Sequence, residues 1–204
     1  MLCWRALRTS KLIWFVPYLL FIVSVELIAR FLYRELNQPN AWLYNLSIPV
    51  EYSFYTFIMY RFYTRKIFVN ASYFFIAGLF LYSLINIIFI TGLTNVNADI
   101  FVIGSIGCLF FSLISLFEIY RQDYELSVFL IPIFWITVGI MLFNAGEIML
   151  NMMQSYLAKT ELRNAPNIFA FINHNLINVL YSSFIIAFLC QKIYGTSKRV
   201  SAVT

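Results

Sequence analysis

Charge is scarce in this chain. Of its 204 residues only 11% are Asp, Glu, Lys or Arg, against roughly 25% in soluble domains, so an ordinary water-facing surface is excluded. There is a single histidine, His174, and no HExxH or Cys/His cluster, which removes the familiar zinc motifs. The three cysteines, Cys3, Cys108 and Cys190, form an odd and scattered set that speaks against a disulfide framework. No solenoid-length repeat, low-complexity tract or sequence symmetry between the two halves is visible, and the last absence weakens an inverted-repeat transporter reading.

What is present is apolar: 62% of residues are hydrophobic and 20% aromatic. They come in long uncharged runs, and a helix needs roughly 20 such residues to cross the hydrocarbon layer. Six runs qualify, at about 12–33, 42–64, 67–91, 98–120, 127–150 and 167–194. They lack the alternation of barrel strands, and helices satisfy every backbone group in lipid. The expectation is an all-α polytopic transmembrane bundle of six spans, forming one membrane domain over residues 1–204. The opening "MLCWRALRTSK" leads into a run too long for a signal-peptide core, so it reads as a retained first span.

The net charge of +5 comes from Lys and Arg at the ends of the apolar runs, with no basic stripe interleaved with aromatics. No nucleic-acid partner is implied; the lipid bilayer is. With six crossings both termini share a face, and that face holds Arg5, Arg8, Lys11, Arg61, Arg65, Lys66, Arg121, Lys192, Lys198 and Arg199, against Arg30, Arg34, Lys159 and Arg163 on the other. Ten against four places both termini in the cytoplasm by the positive-inside rule.

Depth then follows from the rise of about 1.5 Å per helical residue. Glu26, Glu51, Asn144, Glu147, His174 and Asn175 all fall in the external half, with Asn178 near the middle. Ionisable groups in hydrocarbon cost several kcal/mol, so they are expected to face a shared interior. Helical spacing agrees: Tyr44, Ser47, Glu51 and Tyr55 align in the second span, Thr137, Asn144, Glu147 and Asn151 in the fifth, and His174, Asn178 and Tyr181 in the sixth. Pro49 should bend the second span or free a carbonyl near Glu51.

The candidate ligand-binding set is therefore Glu26, Glu51, Tyr55, Asn144, Glu147, His174, Asn175 and Asn178, with His174 expected to meet Glu51 across the bundle. Glu51, Glu147 and His174 are the residues that could hold a divalent metal; no other cofactor is implied. Simpler roles compete. Glu26 and Arg30, four apart, suit a local ion pair. His174 and its asparagines suit hydrogen bonds that merely fix the bundle. Glu118 and Arg121 suit a solvated interfacial pair. Gly104, Gly107, Cys108, Ser112 and Ser115 read as a small-residue seam, within the chain or between copies, so Gly104, Gly107 and Ser112 would carry a homo-oligomer. Segment 151–165 reads as an interfacial helix or connector over the bundle mouth.

The stretches "LLFIVSVELIARFLY", "NAWLYNLSIPVEYSFYTF", "IFWITVGIMLFNAG" and "NVLYSSFIIAFLC" together resemble a group of small, uncharacterised multi-span bacterial membrane proteins. Glu26, Asn45 and Glu51 are the matching polar positions, and the further helix that members often carry before the first of these segments is absent here. The resemblance implies a membrane bundle in a bacterial inner membrane and no particular chemistry.

Three functions stay open. The first is a transporter, channel or sensor subunit that binds a small polar or cationic solute or ion in the outer half of the bundle, a sensor needing a cytoplasmic signalling partner. The second is a metal-dependent intramembrane hydrolase acting on lipid. The third is an oligomeric structural or membrane-effector subunit. The concentration of ionisable groups in one leaflet favours the first, and an enzyme is less expected than a binding protein.

Overall fold

Six helices lie over the six apolar runs. The computed structural model describes residues 10–90, 92, 93, 95, 97–122, 127–159 and 165–201, and among these there is no strand. The helices are α1 (Phe15–Arg34), α2 (Ala41–Tyr60), α3 (Lys66–Phe89), α4 (Ala98–Arg121), α5 (Pro132–Lys159) and α6 (Ala165–Ser201), with short 3-10 turns at Lys11–Trp14 and Val128–Leu130. Five of them are long and apolar enough to cross a membrane. The exterior suits one: Phe74 and Phe89 on α3 are 80% and 78% exposed, and an apolar surface on this scale would aggregate in water.

The exception is α2, which carries Asn45, Ser47, Pro49, Glu51 and four tyrosines in 20 residues. It is also the most enclosed helix, with α1, α3 and α4 packed around it. A helix screened by its neighbours need not be apolar all round, because its polar groups can find partners instead of lipid. Asn45 does so: its Nδ2 donates to the Asn95 carbonyl at 2.8 Å and its Oδ1 accepts from the Asn97 backbone at 2.9 Å. Asn97 in turn caps α4 by accepting from the Ile100 N–H at 3.3 Å. One buried amide thus pins the α3–α4 link to α2.

The small-residue seam is filled within the chain. A Cβ on Gly104 would strike the Tyr52 ring from α2, and one on Gly107 the Phe75 ring from α3. Ser112 donates to the Cys108 carbonyl at 2.7 Å and touches the Met59 sulfur at 3.5 Å. The α5–α6 pair is equally close, because Gly139 faces Ser183 and Gly146 faces Leu176 with no room for a side chain.

Two expectations are corrected. Residues 151–159 continue α5 and do not form a separate interfacial helix. No breaker interrupts "NMMQSYLAK", and Asn151 donates to the Glu147 carbonyl at 2.9 Å within the same helix; residues 160–164 of that segment lie outside the described ones, as does Cys3. Glu118 is not a solvated partner of Arg121. It is buried, accepting from both the N–H (2.8 Å) and the hydroxyl of Thr64, with Arg65 Nε at 3.8 Å. Three spare donors in the α2–α3 turn draw the carboxylate inward.

Candidate functional site

At its N-terminal end α1 is held by rings. Phe15 meets Phe54 of α2 and Phe184 and Phe188 of α6 at centroid distances of 5.0 to 5.5 Å, and Tyr18 stacks on Phe54 at 3.8 Å. Beyond this plug a cavity of about 610 Å³ opens among the helices, reached by Ile22, Val25 and Glu26 of α1, Glu51 of α2, Glu147 of α5 and Asn173 of α6. Its volume is that of a site for a small organic molecule.

Glu51 sits at the floor. Tyr55, one turn along α2, donates to its Oε1, and the Tyr18 hydroxyl lies 3.1 Å from that of Tyr55 and 3.5 Å from Glu51 Oε1. Since Tyr18 has one proton, the shorter contact takes it, giving a chain from Tyr18 to Tyr55 to Glu51. Glu26 and Glu147 line the same cavity as Glu51. The three carboxylates come from three helices, and among the described residues no Lys, Arg or His lines the cavity with them. Tyr44, Tyr52 and Tyr181 add aromatic faces, and Ile48, Phe101, Phe143, Ile177 and Leu180 an apolar wall. Asn173 contributes a buried Oδ1 with no donor among the described residues.

The structure brings Glu26, Glu51 and Glu147 to one cavity, with Tyr55 directly behind Glu51. Glu26 does not form the i,i+4 ion pair with Arg30; among the described residues the ion pair is that of Arg65 with Glu118. Asn144 is fully buried one turn below Glu147, donating to the Ile140 carbonyl at 2.7 Å, outside the cavity wall. His174, Asn175 and Asn178 are exposed on the outside of α6, so the expected meeting of His174 with Glu51 does not occur. The reason is register: the cavity face of α6 is Asn173, Ile177, Leu180 and Tyr181, and each residue step turns a helix by about 100°. Among the described residues no three His, Cys, Asp or Glu side chains stand close enough to hold a metal ion.

Sequence reasoning missed Tyr18 and Asn173. The i, i+4, i+8 spacing of Asn173, Ile177 and Tyr181 was a signal for the second; nothing local marks Tyr18, whose partners lie 33 and 37 residues away. Comparison with known proteins returns no matching family model, no matching curated protein and no matching solved structure.

Proposed function

We propose that this chain is a multi-pass protein of a bacterial inner membrane that binds an organic cation in the cavity among α1, α2, α5 and α6, as the ligand site of a transporter, channel or sensor. The observation that carries the reading is three glutamates from three helices on one cavity wall with no basic residue among the described ones. Opposite unit charges 4 Å apart gain about 4 kcal/mol at an effective dielectric of 20, and a cation over a tyrosine ring adds about 0.5–2 kcal/mol. The three carboxyls share one cavity, yet among the described residues they do not cluster tightly enough to chelate one ion. That spacing and the apolar wall favour a cation with a hydrocarbon body over a bare metal, and they lend the metal-dependent hydrolase less support.

In this reading α2, 20 residues and so about 30 Å long, is the sixth crossing, screened inside the bundle. Both termini then face the cytoplasm, as the ten-to-four distribution of basic residues favours. The test is equilibrium dialysis of the detergent-purified protein against radiolabelled tetraphenylphosphonium. Saturable binding that weakens about tenfold or more in Glu51→Gln is expected; equal binding by the two proteins overturns the assignment.

A further inference from the structure

The outer face of α6 differs in kind from that of α3. Lipid-facing positions on α3 are Ile67, Phe74, Leu81, Ile88 and their like, whereas α6 exposes Asn175, Asn178 and Ser182 on one stripe, flanked by His174. With helical rise of about 1.5 Å per residue, Asn178 lies about 4 Å and Asn175 about 8 Å from the centre of the Ile168–Ile193 span. Polar groups at that depth are costly against hydrocarbon. The Asn175 amide nitrogen is spent on the Phe171 carbonyl at 2.8 Å, leaving its oxygen; Asn178 has no partner among the described residues.

The stripe is continuous and regular. Phe171, Asn175, Asn178, Ser182, Ile185 and Leu189 follow one another at spacings of four and three, and all are exposed, Phe171 at 71% and Leu189 at 52%. That is the a/d repeat of a helix pair, polar in its middle and apolar at both ends. It lies about 130° round α6 from the cavity face, by the same 100° per residue, and on the far side from Leu176 and Ser183, which pack against α5. The cavity and the hairpin therefore leave it free.

We infer that this stripe is the contact between two copies of the chain, whose α6 helices pair in parallel about a two-fold axis normal to the membrane. Two copies inserted by the same charge rule have the same orientation, so such an axis sets each residue opposite its own counterpart at equal depth. Facing carboxylates or ammonium groups would repel, but an amide carries both a donor and an acceptor. Asn178 can therefore pair with the partner's Asn178, and Ser182 with the partner's Ser182. Self-complementary amides at a/d positions are how polar residues join helices where no hydrophobic force acts. The seam at Gly104, Gly107 and Ser112 is already occupied by Tyr52, Phe75 and Met59, so it is not open to a second copy. The inference does not depend on the ligand in the cavity.

Oxidative cross-linking in native membranes tests it. In a Cys3→Ser background, Cys108 and Cys190 being buried, Asn175→Cys, Asn178→Cys and Ser182→Cys should each give a covalent dimer, while Phe74→Cys on the 80% exposed face of α3 should not. Subunit counting by single-molecule photobleaching in liposomes needs no cysteine: the wild type should count as two, and Asn175→Leu with Asn178→Leu should raise the dissociation constant by about tenfold or more. Only single subunits, cross-linking at Phe74→Cys as efficient as on α6, or cross-links to a different protein would overturn the pairing.

Discussion

Tyr55 donates its hydroxyl to the carboxylate of Glu51 one turn before it on α2. That contact joins the site to the scaffold, since Tyr55 is 1% exposed and Tyr18, its other partner, belongs to the ring cluster that anchors α1. Stability and binding should therefore separate at these two residues. Tyr55→Phe leaves the Glu51 carboxyl in place but removes the Tyr55 donor, which should cost about 1–2 kcal/mol and change organic-cation affinity only a few fold. Glu51→Gln can still accept from Tyr55, so it should melt nearly as the wild type does while losing binding. Thermal melts beside dialysis of each variant check the crossing; parallel losses in both measurements contradict it.

The glycines of α4 make a sharper packing test. Gly104→Ala forces a methyl into the Tyr52 ring, whereas at Gly78 on α3 an added Cβ meets nothing within 4 Å. Overpacking of a tight contact costs typically about 1–3 kcal/mol. Gly104→Ala should lower the melting midpoint clearly, while Gly78→Ala should match or slightly exceed the wild type, as the better helix former does.

Glu118 tests which of its partners matters. Arg65 stands 3.8 Å away with 44% of its side chain exposed, while Thr64 supplies two hydrogen bonds to a carboxylate that is almost wholly enclosed. Screening leaves an exposed arginine worth less than about 1 kcal/mol, whereas stranding the Thr64 donors costs about 1–3 kcal/mol. Glu118→Ala should therefore destabilise markedly, and Glu118→Gln and Arg65→Ala only slightly. The ranking is read from urea or thermal denaturation in one detergent.

How far the sequence revealed all this depends on which physical signal was local. Hydrophobic run length is local, so each helix lies over its run, and counting residues puts Glu26, Glu51 and Glu147 at a shared level of the bundle, where one cavity holds them. Azimuth is not local. Whether α6 turns Asn173 or His174 inward depends on Gly139 and Gly146 of α5, which fix the close face by admitting Ser183 and Leu176. Asn173 stands beside His174, Asn175 and Asn178 within six residues, and the rarity of histidine drew the reading to the other stripe. Glu118 misled for a similar reason: its position beside Arg121 suggested solvent, but Thr64, 54 residues away, supplies its hydrogen bonds.

The two stripes of α6 make the last prediction. Asn173 faces the cavity with an unpaired Oδ1, an acceptor that a ligand ammonium can use, while His174 is exposed on the outside of the same helix. Asn173→Leu should weaken binding of an alkylammonium probe such as dodecylamine by about 1.5–3 kcal/mol, one hydrogen bond to a charged donor. The same variant should leave tetraphenylphosphonium, which has no N–H, bound within about twofold of wild type, because the carboxylates that attract it remain. His174→Ala should leave both affinities unchanged. Titration of the two probes against the two variants decides it: loss of either affinity in His174→Ala would mean that α6 presents its other face to the cavity.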